Sequence, residues 1–114
     1  MKGVVVAVRS SPLTTGRVHE ALRMALGMTL SNHRVTVVYT GDGASAALTL
    51  NGEILHRPGL AESLELLDAC QIREVVEREA LAPGNRSALR KRVELLDRDA
   101  VVGLLAASDV VIAW

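Results

Sequence analysis

The chain opens with Val4-Val5-Val6-Ala7-Val8-Arg9-Ser10-Ser11-Pro12, an apolar run that ends abruptly in small polar residues and a proline. A second run of the same kind is Val35-Thr36-Val37-Val38-Tyr39-Thr40-Gly41-Asp42-Gly43. A strand that is apolar on both sides is typical of a parallel sheet, because helices cover both faces of such sheets. These two runs therefore predict an α/β fold.

Polar and turn-forming residues stand where each of these strands ends. Ligands of parallel sheets bind outside the carboxyl ends of the strands, which makes Arg9, Ser10, Ser11 and Asp42 candidate ligand-binding residues. The first three offer an anion a cation, hydroxyls and loop amides. Both segments are equally compatible with simple turns, which Ser, Pro, Asp and Gly favour.

The rest of the chain alternates between the two periodicities. Apolar residues at helical spacing predict helices over 17–30, 60–69 and 97–107, and short apolar runs predict strands over 3–8, 35–40, 72–76, 92–96 and 110–113. We expect a short helix over 44–50 and an exposed loop or partial helix over 77–91. The alternation predicts a single three-layer α/β/α domain over 1–114, with a mostly parallel sheet of about five strands.

Composition argues against several classes of function. Thirteen Lys and Arg balance thirteen Asp and Glu, and there are only one Tyr, one Trp and no Phe, so neither nucleic acid nor an anionic membrane surface is indicated as a partner. No apolar run reaches the ~20 residues that span a bilayer, and the N-terminus lacks the plan of a signal peptide.

One cysteine and three scattered histidines offer no metal-ligand spacing, so we expect neither a metal nor another cofactor. A single cysteine is typical of a reducing compartment, and we expect a cytoplasmic protein.

Three stretches resemble the DsrE/DsrF-like family, which includes the Tus and Dsr sulfur-relay subunits. They are residues 5–12, a strand ending in a Ser/Pro loop; residues 17–43, a helix and a strand ending in Gly41-Asp42-Gly43; and residues 96–114, an acidic start, a helix and a closing strand. The length and the ending look closest to the DsrF/TusC branch. The resemblance implies a DsrE/F-like fold and an intracellular sulfur-relay subunit. Such subunits form homo-oligomers, or hetero-oligomers with DsrE-like paralogues, and a sulfur-carrier protein is a possible partner.

The resemblance also locates a missing residue. Active members of the family carry a persulfide on a cysteine just after the third strand, ahead of a basic segment. Here that position falls near Val76-Glu77-Arg78, and none of these residues is Cys. The resemblance therefore implies a non-catalytic subunit, with Glu77 and Arg78 either as ligand-binding residues or as part of a solvated charge run.

The only cysteine, Cys70, is the candidate catalytic residue of an alternative function, that of a sulfurtransferase-like carrier. A persulfide carrier needs an accessible thiolate, which a helix N-terminus or neighbouring cations stabilise. Cys70 instead lies at the C-terminal end of the predicted helix 60–69, directly after its last residue, where the helix dipole disfavours negative charge. The structural interpretation of a lone cysteine is a small buried hydrophobe. A third possibility is a regulatory module that binds a small anion at the strand ends, so whether the chain is an enzyme stays open at this stage.

Two further features are compatible with a partner. Arg86, Arg90, Lys91 and Arg92 form the one basic cluster of the sequence, and an acidic partner or an anionic ligand would suit it. Trp114 ends the last predicted strand, where an aromatic residue commonly packs against a neighbour or an interface.

Overall fold

The structure is a computed structural model that describes residues 2–10, 17–48 and 60–114, without the side chains of residues 17–19, 60, 61 and 87. Its strands are β1 (Gly3–Val8), β2 (Arg34–Tyr39), β3 (Arg73–Glu77), β4 (Val93–Leu96) and β5 (Val110–Ala113). Its α-helices are α1 (Arg17–Leu30), α2 (Leu60–Ala69) and α3 (Arg98–Ala107), and there are 3₁₀ helices at Gly41–Ala47, Arg78–Ala80 and Pro83–Ala88.

The five strands form one sheet in the order β4-β3-β2-β1-β5. All four neighbouring pairs are parallel, which confirms the α/β prediction. From β1 to β4 the chain advances in one direction across the sheet, and then it returns past β1 to place β5 at the other edge. Because crossovers between parallel strands are right-handed, that reversal puts α3 on the opposite face from α1 and α2. The three layers predicted from the sequence follow from it.

The core is divided by the sheet into two unequal halves. On the α1 and α2 side, alternate strand residues such as Val6 and Val37 pack against Leu22, Leu64 and Leu67. The α3 side holds a smaller cluster of Val5, Val38, Val75 and Val101. Every second residue of a strand faces the same side, so continuous valine runs supply both halves at once.

The element boundaries agree with the predicted ones to within a residue or two, except in the segment after β2. That segment is a 3₁₀ helix that begins at Gly41, three residues before the predicted short helix, and residues 49 and 50 of the prediction lie outside the described part of the chain. Residues 78–88 contain two 3₁₀ turns, in keeping with the predicted partial helix. No helix within the described ranges is long and apolar enough to cross a membrane.

Candidate functional site

Parallel pairing collects the predicted polar residues at one edge of the sheet. Arg9 and Ser10 follow β1, Asp42 follows β2, and Glu77 with Arg78 closes β3. Because all the strands point the same way, these positions lie at the carboxyl edge, where ligands of such sheets bind. Ser11, the remaining candidate at this edge, lies outside the described residues.

Glu77 is the most buried of the candidate residues that the structure describes at this edge, since it is the last residue of β3 and is 8% exposed. The Thr40 hydroxyl donates a hydrogen bond to Glu77 Oε2. Arg98 Nε donates to Glu77 Oε1 at 2.9 Å. The Thr40 hydrogen bond, opposed by burial and assisted by Arg98, holds the pKa of the Glu77 carboxyl below its usual value. Glu77 is therefore a carboxylate held by two donors, and its interpretation as part of a solvated charge run is wrong.

The start of α3 lies beside Glu77 and carries carboxylates of its own. Asp97 is the N-cap and accepts from the Ala100 backbone nitrogen at 2.8 Å, and both Glu79 oxygens accept from the Arg98 backbone nitrogen at 3.0 and 3.1 Å. Carboxylates are stabilising there because the amino end of a helix is positively polarised. Arg78 is exposed, and its guanidinium lies 3.8 Å from Asp97. The Arg78 and Arg98 guanidinium groups at this corner of the edge thus both face carboxylates of the same chain.

Arg9 and Ser10 lie on the other side of the edge, next to the chain end. The Arg9 backbone nitrogen donates to the Trp114 carbonyl oxygen at 2.9 Å, and Ser10 Oγ lies 3.4 Å from the same oxygen. The Arg9 side chain is exposed and forms no ion pair with any residue that the structure describes. Trp114 is partly buried against the α1 and α2 side of the core, so contacts within its own chain account for it.

Gly41-Asp42-Gly43 forms the tight turn that its residue types favour. Gly41 has a φ of +54°, which side chains disfavour. A Cβ atom on Gly43 would lie 2.2 Å from the Val8 carbonyl oxygen, so only glycine fits there. Asp42 between them is exposed. The two glycines have structural explanations, and Asp42 is the residue of this turn that is free to meet a ligand or partner.

Cys70 lies at the opposite edge of the sheet. It is the first residue after α2, in the turn that leads to the amino end of β3, and it is exposed. The interpretation of Cys70 as a buried core residue is therefore wrong. Leu64 and Leu67 take the inward positions of α2, and the chain enters the core again only at Ile72, so Cys70 falls on the solvent side of the turn.

The predicted basic cluster does not exist as one surface. Arg90 reaches into the core, where its guanidinium lies 2.8 Å from Glu74 Oε1. Arg92 Nη1 donates to the Asp68 carbonyl oxygen at 3.0 Å, and Arg86 Nη2 lies 3.5 Å from the Arg78 carbonyl oxygen. The basic side chains of this segment therefore point to different parts of the molecule, because the chain changes direction several times before β4.

Sequence analysis missed the buried group that receives Arg90. Glu74 is 0% exposed, and Tyr39 donates to its Oε1 atom at 2.7 Å. Burial, and then the neighbouring Glu74 carboxylate, raise the pKa of Tyr39 well above its usual value. Glu74 lies beside the apolar pair Val75 and Val76 within one short strand. A charged residue in such a run is the signal that could have identified it, whereas nothing in the sequence points to its partner sixteen positions later.

Among the residues that the structure describes, no group of three or more His, Cys, Asp or Glu side chains is arranged to hold a metal ion.

Comparison with solved structures finds the same architecture in the crystal structure of ychN protein from E. coli. The two chains superpose with a TM-score of 0.79 over 100% of each, at 19% sequence identity, which is a likeness of fold. A search of curated proteins finds no match. The model of the DsrE/DsrF-like family matches residues 2–114, nearly the whole chain, and this chain belongs to that family.

Proposed function

We propose that this chain is a non-catalytic subunit of an intracellular sulfur relay, one that carries no sulfur at the family's position after the third strand. The observation that carries the proposal is Glu77, which ends β3 as a buried carboxylate held by Thr40 and Arg98. Membership of the family is the reason to propose a role in a sulfur relay. The buried Glu77 carboxylate is the reason to propose that this role is structural.

The chemistry of sulfur transfer supports this assignment. A sulfane sulfur moves when a thiolate attacks the outer sulfur of a persulfide, so the acceptor must itself be a thiol. A carboxylate forms no persulfide, and Glu77 is already engaged by its two donors. The relay thiol would then come from a Cys-bearing paralogue in the same assembly, with this chain as its structural partner, in the manner of the DsrF/TusC branch.

The test is intact-mass spectrometry after incubation with a cysteine desulfurase and cysteine. We expect the wild-type chain to gain no sulfur. A Cys70→Ser/Arg78→Cys variant, whose only thiol stands at an exposed position directly after β3, is expected to gain one sulfur atom that a reductant removes. A reductant-sensitive gain on the wild-type chain that disappears in Cys70→Ser would overturn the proposal.

That opposite result would establish the second candidate, a sulfur carrier that uses Cys70. The observation that favours this candidate is the exposure of Cys70, since a thiol must be accessible to accept sulfur. Its position at the amino edge separates it from the edge where Thr40, Glu77 and Arg98 meet. A carrier of this kind would therefore work from a different surface from the one that the family uses.

A third candidate, a small-anion-binding module, depends on Arg9, Ser10, Ser11 and Asp42. Arg9 favours it as an exposed cation outside any ion pair of the described residues, whereas Arg78 and Arg98 already face carboxylates. Thermal stabilisation by sulfate or phosphate that is lost in Arg9→Ala would support it.

A further inference from the structure

The α3 side of the sheet carries an open cavity of about 160 Å³ at the amino ends of the strands. One wall is the sheet itself, where Gly3 and Val5 of β1 and Thr36 of β2 line the cavity. The other wall is the last part of α3, with Leu104 and Ala107. A cavity of about 150 Å³ is large enough for benzene, so this one has room for a ligand of about six to eight non-hydrogen atoms.

Arg34 supplies a cation that has no partner within the described part of the chain. It is the first residue of β2, it is exposed, and it lines the cavity. Among the residues that the structure describes, its side chain forms neither an ion pair nor a hydrogen bond. A guanidinium presents parallel N–H donors that match the two oxygens of an oxyanion, so an unpaired arginine beside a cavity favours an anionic ligand there.

Thr36 and Arg73 bring further donors to the same space. Thr36 lies two residues after Arg34, so the two side chains leave β2 on the same face of the sheet. Thr36 is half-buried, and its hydroxyl has no hydrogen-bond partner within the described ranges. Arg73 is the register partner of Thr36 on β3 and also lines the cavity. The strand side of the cavity is thus lined by two guanidinium groups and one hydroxyl.

Glu94 already engages part of the Arg73 guanidinium. Arg73 Nε donates to Glu94 Oε2 at 2.6 Å, and Arg73 Nη2 lies 3.5 Å from Glu94 Oε1. This ion pair is about half exposed on each side, and it leaves Arg73 Nη1 without a partner among the described residues. Arg34 is therefore the main anion-binding group of the cavity, and Arg73 is an additional donor.

The surroundings of the cavity favour an anion on its strand side. The amino ends of four neighbouring strands carry one basic residue each, namely Lys2, Arg34, Arg73 and Arg92. Asp109, the acidic residue directly before β5, accepts from the Gly3 backbone nitrogen at 2.7 Å. The carboxyl end of α3, on the opposite wall, is negatively polarised. An anionic group is therefore best placed beside β2 and β3, with an apolar group against the helix.

We propose that this cavity binds a small carboxylate that has an apolar body. Arg34, Thr36 and Arg73 hold the carboxylate. The apolar body packs against Val5 and Leu104. Free phosphate or sulfate would meet the same donors but would leave the apolar wall in contact with water. The inference goes beyond the proposed function, because a sulfur relay requires no such ligand, and it concerns the amino edge of the sheet and not the carboxyl edge.

The test is a titration of the isotope-labelled full chain, followed through its amide signals by two-dimensional NMR. Pentanoate is the probe, since it combines a carboxylate with an apolar chain that fits the cavity. We expect saturable shifts of the signals of the lining residues, with a dissociation constant of about 1–10 mM, as for other ligands of this size. Pentylammonium, which has the same apolar chain and the opposite charge, is expected to cause no saturable shift. Inorganic phosphate is expected to bind at least about fivefold more weakly than pentanoate, because it buries no apolar surface.

Substitutions at exposed positions separate the role of the charge from that of the space. Arg34→Gln is expected to weaken pentanoate binding at least about fivefold. Its control is Arg23→Gln, which removes an exposed arginine of α1 that forms no ion pair with the described residues and is expected to leave the binding unchanged. Ala107→Leu fills the cavity from the helix side and is expected to abolish binding. Ala106→Leu is its control, because Ala106 is the preceding residue of α3, is exposed and does not line the cavity.

Several results would overturn this assignment of the cavity. They are the absence of a saturable shift with pentanoate, binding of pentylammonium or phosphate as tight as that of pentanoate, and equal effects of a variant and its control. None of these outcomes depends on whether the chain gains sulfur.

Discussion

The surroundings of Gly43 leave no room for any side chain larger than that of glycine. The backbone after β2 turns against the end of β1, and a Cβ atom on Gly43 would lie 2.2 Å from the Val8 carbonyl oxygen and 2.7 Å from the Val8 carbonyl carbon. Real Cβ atoms do not approach backbone so closely, and the two segments are held together because Thr40 N donates to Val8 O at 3.0 Å. This backbone contact explains why the second glycine of the Gly-Asp-Gly sequence, Gly43, cannot be another amino acid.

We expect Gly43→Ala to lower the free energy of unfolding by at least about 2 kcal/mol, because one of the two backbone segments must move. Gly84→Ala is the control, since a Cβ atom on Gly84 meets nothing within 4 Å, and its effect should stay within about 0.5 kcal/mol. Urea denaturation of both variants measures the difference. Equal effects of the two substitutions would contradict the close contact at Gly43.

Glu77 makes a residue-level prediction about pH. Its pKa is lower in the folded chain than the ordinary value of 4.5, so the unfolded chain binds the proton more readily. Its contribution to stability is therefore complete above about pH 4.5 and is lost as the pH falls through the lower, folded-state pKa.

We expect the free energy of unfolding of the wild type to exceed that of Glu77→Gln near neutral pH, and this difference to shrink in acid. Urea denaturation of both proteins in steps from about pH 7 to about pH 3 measures it. A difference that stays constant over this range would mean that the Glu77 carboxylate is not stabilised by its partners.

At the scale of elements, Arg90 joins parts of the chain that are far apart in sequence. Its guanidinium contacts Glu74 of β3 at 2.8 Å and Tyr39 of β2 at 3.3 Å. It also donates to the Ala46 carbonyl oxygen in the 3₁₀ helix after β2, at 3.0 and 3.2 Å. The connection between β3 and β4 starts at Arg78, and near its far end Arg90 anchors it to β2, to β3 and to the 3₁₀ helix after β2.

Arg90→Met should cost about 3–5 kcal/mol, because it leaves the Glu74 carboxylate buried without its cation. The triple variant Tyr39→Phe/Glu74→Leu/Arg90→Met should cost clearly less than the single one, since no buried charge remains. Arg73→Met is the control. Its ion pair with Glu94 is about half exposed on each side, and its loss should cost under about 1 kcal/mol.

Thermal and urea denaturation of the three variants measure these costs. If Arg90→Met were as mild as Arg73→Met, the buried ion pair would be of no importance to the fold. If the triple variant were the least stable of the three, hydrophobic packing could not substitute for the buried polar group.

At the scale of the whole molecule, the parallel sheet separates two edges. The carboxyl edge holds the buried Glu77, and the amino edge holds the exposed Cys70. Sulfur loading of the wild type and of Cys70→Ser therefore tests whether the amino edge carries sulfur.

The local sequence determined the elements of this protein and their type. Five short apolar runs and three stretches at helical spacing mark the strands and α-helices to within a residue or two. The reason is that the buried positions of an element are apolar and recur along the chain with the period of that element. The same pattern predicted the parallel sheet, and parallel strands bring the residues that follow them to one edge. Arg9 and Asp42 could be assigned to that edge on this ground alone, whereas Glu77 and Arg78 became candidates through the family resemblance.

Only the tertiary structure decided which of these residues meet and which are buried. Glu77 is held by Thr40, 37 positions earlier, and by Arg98, 21 positions later, and no local pattern encodes such distances. Arg90 looked like one member of a surface cluster and proved to be the partner of the buried Glu74, whereas Cys70 looked like a core residue and proved to be exposed. The physical reason is common to all of them. The polarity of a side chain restricts the residue to one face of one element. Its partner depends on which strands and helices are neighbours in space, and that arrangement is a property of the whole chain.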